Sequence, residues 1–295
     1  MNRTNKWSDD EIMLAMKEVW EDLVSKGHNV IYICVYGSQN YGLDLHTEDY
    51  QSDLDMKVVV APTLKQLVNN SKQTTFTQDT KYGQVDVKDI RLFVNNLKKA
   101  NPAYIECIFT EHYIIKEGKQ GEAIQEMRDM AEDLCFAQET QMIKAMFGMM
   151  KEKEKALCHP YPTIKHKIDK FGYDGKQLSH ALRLGEMMKR YLNGETMKCC
   201  IMHHDQLTAQ KMIDYKLNKP SLEEARRIMG ELIGTAKHYT DEQVNKGMEP
   251  VHGILEAFDK AKNNAITRDI YDVIYNEALQ DAKLEINDVL NNLKK

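Results

Sequence analysis

An α+β fold is predicted for this 295-residue chain, and two observations predict it. Strand-like and helix-like segments alternate up to about residue 120, and beyond it nearly every stretch carries helical periodicity. The expected organisation is an α/β unit over residues 1–118 and an all-helical unit over residues 119–295. The segment 111–121 suits either side of that boundary.

The elements follow in chain order. Ser8-Asp9-Asp10-Glu11 is a capping box before a helix running to about Lys26, where Gly27 stops it. Asn29 to Tyr36 and Asp53 to Ala61 are apolar, β-branched runs that read as strands. A short helix begins at Pro62-Thr63, Thr74 to Thr80 alternates like an edge strand, and Gln84 to Lys88 reads as another strand after the Tyr82-Gly83 turn. The run from Asp89 is helical and ends before Asn101-Pro102. Helices are expected over 122–157, 175–192, 207–215, 221–235 and 266–293.

Composition limits the function classes. With 42% hydrophobic and 29% charged residues the chain is an ordinary globular protein. A net charge of −5 argues against a strongly basic nucleic-acid coat while leaving room for a local basic groove. No apolar run approaches the length of a membrane span, and the start lacks an apolar secretion core, so a cytoplasmic location without a membrane partner is expected. The six cysteines lack the spacing of a disulfide framework and read as reduced thiols.

The most informative stretch is Val35-Tyr36-Gly37-Ser38-Gln39-Asn40-Tyr41-Gly42-Leu43, followed by Ser52-Asp53-Leu54-Asp55 at the head of the second strand. Residues i and i+2 of a strand share a face, so Asp53 and Asp55 project their carboxylates side by side. Two like charges that close are costly unless a cation lies between them, and Mg²⁺, which takes oxygen ligands, is the usual occupant. The Gly37-Ser38 turn beside them offers N–H groups and a hydroxyl to phosphate oxygens. Together these features read as a site for metal-assisted phosphoryl or nucleotidyl transfer. An isolated Asp-x-Asp is more often a solvated turn; its place between a strand-turn signal and an apolar run is what raises it above that.

Two-metal transfer ordinarily needs a third carboxylate. Asp86 is expected to supply it, because an acid on a short apolar strand is out of pattern, whereas Asp89 reads as a helix N-cap. A second element fits the same chemistry. Lys176, His180 and Arg183 fall at i, i+4 and i+7, a single stripe on one helix face, with Leu178, Leu182 and Leu184 turned toward a core. Such a stripe opposite an acidic metal centre suits a triphosphate, although a solvated surface face is the bland alternative.

The Gly-Ser…Asp-x-Asp pattern with a downstream strand aspartate resembles the polymerase-β-type nucleotidyltransferases. Three separated motifs narrow the resemblance to the RNA-ligase-associated (RlaP/YcgL-type) predicted nucleotidyltransferases: Gly37 to Leu43 with Ser52 to Asp55, Asn101-Pro102-Ala103-Tyr104-Ile105-Glu106, and Lys176 to Leu184. The likeness spans residues 30 to 230, with an apparent extension of the loop at 46–51.

The resemblance implies a small mixed sheet with helices on one side. It implies two Mg²⁺ ions (Mn²⁺ as a substitute) on Asp53, Asp55 and Asp86, and a nucleoside triphosphate, ATP or CTP favoured, on Gly37, Ser38, Lys176, His180 and Arg183. The acceptor it favours is an RNA or tRNA end. A Tyr or Ser hydroxyl of a partner protein, as in antitoxin-type enzymes, stays open, as does a non-catalytic nucleotide-binding role. Glu106 either supports the site or pairs with Arg91 or another base. Cys199-Cys200 and His203-His204 are too tightly spaced for one tetrahedral zinc and read as a helix end. The runs Met142 to Met150 and Lys151 to Lys155 read as a packed face and a charged surface. Lys165-His166-Lys167 with Lys170 is a weak basic cluster.

Overall fold

A computed structural model describes residues 6–47, 52–247 and six helical positions between 272 and 283. Helix α1 (Asp9–Ser25) opens with the expected capping box, in which Ser8 accepts from the Glu11 N–H and Glu11 reaches back to the Ser8 N–H. Its Ile12, Ala15, Met16, Val19 and Leu23 form one apolar stripe. The chain then runs through β1 (Asn29–Val35), β2 (Met56–Ala61), α2 (Leu64–Val68), β3 (Thr75–Asp79), β4 (Gln84–Asp89), α3 (Ile90–Lys98), α4 (Pro102–Phe109) and β5 (Tyr113–Ile115). The strand order is β3-β4-β2-β1-β5, with β2 and β4 parallel and the other neighbours antiparallel. The sheet is therefore mixed, in an α+β chain. A bulge between Val30 and Tyr32 shifts the β1 register on β2.

Every residue of β2 is buried, because both faces of the sheet are covered. Met56, Val58 and Val60 join Val30, Ile33 and Val35 under the α1 stripe. On the other face Tyr32, Cys34, Val59 and Ala61 meet Ile90, Phe93, Val94 and Leu97 of α3 and Ile105 and Ile108 of α4. Most helices lie on that second face, and α1 covers the first. Asp89 caps α3, accepting the Arg91 N–H at 2.9 Å, and pairs with the Arg91 guanidinium at 2.7 Å. Asn101 caps α4, with Pro102 in its first turn.

Beyond β5 the described chain is helical. The stretch 122–157, read from its period as one helical region, is divided into α5 (Lys119–Asp129), α6 (Ala131–Phe136) and α7 (Glu139–Ala156). Next come α8 (Lys165–Phe171), α9 (Gly175–Leu192), α10 (Met197–Met202), α11 (Gln206–Lys216) and α12 (Leu222–Gly247). The helix expected over 266–293 lies largely outside the described residues. Met142, Met146 and Met150 of α7 are buried, as a packed face requires. No helix among the described residues is long and apolar enough to cross a membrane.

One contact aligns the helical half. A Cβ placed on Gly175 would lie 2.0 Å from the Tyr215 carbonyl, so the start of α9 touches the end of α11 backbone to backbone. Asn218, at φ +56°, donates to the Tyr173 carbonyl at 2.9 Å, and the Tyr173 hydroxyl donates to the Pro220 carbonyl at 2.7 Å. These bonds set Lys176 and Lys216 side by side on two different helices.

Gly175→Ala is expected to cost about 1–3 kcal/mol by overpacking. Gly148→Ala, in the middle of α7 with nothing within 4 Å, should instead stabilise by about 0.5–1 kcal/mol. Urea midpoints of the two variants should move in opposite directions, and a neutral Gly175→Ala would contradict the close approach.

Candidate functional site

The turn after β1 is held from a distance. Gly37 has φ +87°, a conformation that favours glycine. Its N–H donates to Glu106 Oε1 of α4 at 2.6 Å, and the Asn40 amide donates to the same oxygen at 3.1 Å. Asn40 Oδ1 in turn accepts from the Thr110 hydroxyl at 2.6 Å, and the Leu43 N–H donates to the Ser38 carbonyl at 2.9 Å. The N–H of Gly37, expected to face phosphate, is thus committed to a carboxylate. Gly37 and Ser38 both line the cavity. Glu106 is not the partner of Arg91, whose guanidinium holds Asp89; it braces the turn and its other oxygen faces a different base, Arg183, at 4.0 Å.

The strand expected from Asp53 begins only at Met56, so Asp53 and Asp55 lie in the segment leading into β2; both line the same cavity while Leu54 packs into the α1 core. The expected side-by-side placement is present. The Tyr36 N–H donates to the Asp55 carbonyl at 3.1 Å, which ties the pair to the Gly-Ser turn. The Gln84 N–H donates to Asp55 Oδ1 at 3.3 Å. Burial pushes the Asp55 pKa up, and neighbouring Asp53 adds to this; the Gln84 N–H and Lys176 work against it.

Asp86 has a different setting. Lys57 holds its Oδ2 at 2.7 Å and Lys88 its Oδ1 at 2.8 Å, and Asp86 is absent from the cavity wall. Lys57 is itself caged between the rings of Tyr36 and Tyr104, at 4.5 and 4.6 Å from their centroids. An acid on an apolar strand is explained here by the buried ammonium opposite it in the β2–β4 register. Among the described residues no three His, Cys, Asp or Glu side chains converge as a metal-binding group.

The helical half builds the opposite wall of this cavity of about 370 Å³. From α9 come Lys176, His180 and Arg183, so the predicted stripe does face the carboxylates. Two further cations join them: Lys153 from α7 and Lys216 from α11. Both sit on apolar stripes. Lys153 lies three residues beyond buried Met150, and Lys216 four beyond buried Met212. That spacing was the signal available in the sequence, hidden for Lys153 by the charged run around it. Its neighbour Lys151 pairs with Glu154 on the surface.

Arg183 is 7% exposed, and its guanidinium is poorly satisfied. It lies over the Tyr41 ring at 4.1 Å, 4.0 Å from Glu106 Oε2, with Nη1 3.5 Å from the Met187 sulfur. Its buried Nε has no hydrogen-bond partner among the described residues. Buried donors of this kind are rare and need an explanation. The surroundings are also overcharged. Burial, then Arg183, Lys176, Lys153 and Lys216, hold His180 neutral, well below the usual histidine range. Burial and the repulsion of Lys176 bring Lys216 down to about 8. Lys153 is likewise lowered, chiefly by burial. With Glu106 set against Arg183, two carboxylates on one wall face three ammoniums on the other. That arrangement is chemically suited to a polyanion accompanied by a divalent cation.

A Mg²⁺ site needs only one or two carboxylates when substrate phosphates and water complete it. Asp53 and Asp55 fit that donor set, and the raised pKa of Asp55 marks a carboxylate that a cation would stabilise. The other motifs stand apart. Cys200 is buried at the end of α10, and His204 meets Tyr41 edge-on, its pKa lowered by burial to about 4. Lys165 of α8 pairs with Asp169.

The sequence profile of the RlaP family, described as the RNA repair pathway DNA polymerase beta family, matches residues 10–223. A solved nucleotidyltransferase-like protein from Exiguobacterium sibiricum 255-15 is similar at 12% identity and a TM-score of 0.30, covering 80% of this chain and 77% of that one. No curated protein sequence matches the chain.

Asp86→Ala should strand the Lys57 ammonium, only 4% exposed, without an acid. The expected loss is about 3–5 kcal/mol in urea unfolding. Asp53→Ala, which removes an exposed carboxylate beside Asp55, should cost little or stabilise. Equal losses in the two variants would contradict this division of roles.

Proposed function

Since the chain belongs to the RlaP family, the RNA repair pathway DNA polymerase beta family, we propose that its cavity is the active site of a template-independent nucleotidyltransferase. The reaction would move NMP from a nucleoside triphosphate to an acceptor hydroxyl, with an RNA end such as that of tRNA as acceptor. The observation that carries this reading is the unpartnered, buried Arg183 Nε in a wall of cations facing Asp53 and Asp55.

In this reading the triphosphate lies between the two walls. Lys153, Lys176, Arg183 and Lys216 receive its β- and γ-phosphates, and Arg183 gains the acceptor it lacks. Ser38 adds its hydroxyl from the Gly-Ser turn. Neutral His180 offers one N–H without adding charge. Asp53 and Asp55 would hold Mg²⁺, which when bound would neutralise phosphate charge and lower the pKa of the acceptor hydroxyl. The hydroxyl oxygen bonds to the α-phosphorus in line as the bond to the β-phosphate bridging oxygen breaks. The hydroxyl proton is lost to solvent, and pyrophosphate leaves with its new charge already matched by the cationic wall. Asp86 stays outside this set while Lys57 and Lys88 hold it.

Transfer from α-³²P-labelled nucleotides with Mg²⁺, each of the four offered against total RNA and against cell protein, tests the reading. Label is expected in RNA and should vanish in an Asp53→Ala, Asp55→Ala chain that keeps its fold. Label confined to protein would move the acceptor to a protein hydroxyl, and no label in either would overturn catalysis. Arg183→Met is expected to lower kcat by ~10²–10³-fold, as for loss of a preorganised transition-state donor. Triphosphate affinity should fall as pH rises through about 8, where Lys216 sheds its proton and with it an attractive charge. Lys216→Arg, charged throughout, should flatten that limb in a titration of nucleotide binding.

A further inference from the structure

The bonds of Lys216 point to a task beyond attracting phosphate. Lys216 closes α11 and is only 8% exposed. Its ammonium donates to the Leu43 carbonyl at 3.2 Å and to Ser52 Oγ at 3.3 Å, from 173 and 164 residues away. Leu43 ends the Gly-Ser turn, and Ser52 immediately precedes Asp53. Ser52 is also tied to Leu45: its N–H donates to the Leu45 carbonyl at 2.8 Å, and its Oγ accepts the Leu45 N–H at 2.9 Å. The outgoing and returning chains therefore meet beneath one buried cation.

The two cavity aspartates differ in what holds them. Asp55 accepts the Gln84 N–H and is paired through its backbone with Tyr36. The Asp53 side chain is exposed and has no hydrogen-bond or ion-pair partner among the described residues. Among the described residues its place is set through its chain neighbours. Downstream, the Leu54 N–H donates to the Tyr82 carbonyl at 2.9 Å; upstream, Ser52 is clamped by Leu45 and Lys216.

We propose that Lys216 is a positioning residue for Asp53: acting through Ser52, it holds that carboxylate beside Asp55, where the two would serve as ligands to a divalent cation. The proposal rests on the nucleotidyl-transfer reading, and it makes metal affinity in the sheet depend on a helix of the other half. Groups that orient a metal ligand without touching the metal typically contribute 10–100-fold to affinity.

Mn²⁺ uptake, followed by electron paramagnetic resonance with a saturating non-hydrolysable triphosphate analogue, tests this without turnover. Lys216→Met and Ser52→Ala should each weaken Mn²⁺ binding ~10-fold or more. Ser52→Thr, which keeps the hydroxyl, should restore it. Lys153→Met, a cation of the same wall with no bond to the described residues of this loop, should weaken the analogue and leave Mn²⁺ affinity unchanged once the analogue is saturating. Wild-type Mn²⁺ affinity in Ser52→Ala, or an equal loss in Lys153→Met, would overturn the positioning role. A wild-type chain that takes up no Mn²⁺ with the analogue would instead overturn the nucleotidyl-transfer reading beneath it.

Discussion

The Glu106 carboxylate, buried behind the Gly-Ser turn, is the interaction on which the rest of the site depends. Removing a carboxylate from water is expensive, and it is tolerated only where bonds to the charged form replace the lost hydration. Here those bonds come from the Gly37 N–H and the Asn40 amide, with the Arg183 guanidinium 4.0 Å away. Even so, burial raises the Glu106 pKa, with Arg183 and then the Gly37 N–H opposing it. One group on α4 thereby fixes the turn after β1 and places a charge on α9. Three segments far apart in the chain share a single electrostatic solution.

The same economy governs the two halves of the molecule. The sheet side contributes oxygen donors, because Asp53 and Asp55 sit where the chain entering β2 meets the β1 turn. The helical side contributes cations, each carried on an otherwise apolar face and so delivered inward by packing rather than by local preference. Backbone contact at Gly175 keeps α9 and α11 close enough for their lysines to share one cavity.

This cavity is poorly compensated on its own. Lys153 and Lys216 lose affinity for their protons, His180 stays neutral, and Arg183 keeps an orphan donor. Such features lower the stability of a chain and persist where they are needed for binding. Asp86 and Lys57 show the contrasting case, a buried ionic pair with both oxygens of the acid satisfied by lysines. Chemistry-bearing residue types thus occur in two settings a few residues apart. What separates them is whether each charge faces the cavity or is closed against an opposite charge across the sheet.

Local periodicity in the sequence determined the first four strands but not β5, and it determined the Ser8 capping box, the common side of Asp53 and Asp55 and the single stripe of Lys176, His180 and Arg183. Each of these depends on spacings of two to seven residues, which backbone geometry converts directly into a common face. Lys153 and Lys216 were half-legible, as cations at the spacing of a buried stripe, but nothing local says what that stripe faces. The partners of Glu106 and Asp86 were not legible at all. An acid reads the same whether its counter-charge is a metal, a lysine across the sheet or a backbone N–H seventy residues away, and chain packing alone decides among them. Tertiary structure therefore decided which carboxylates stay open to a cation and which cations stay open to an anion, because that choice is made by the neighbours each charge meets when the helical half closes over the sheet.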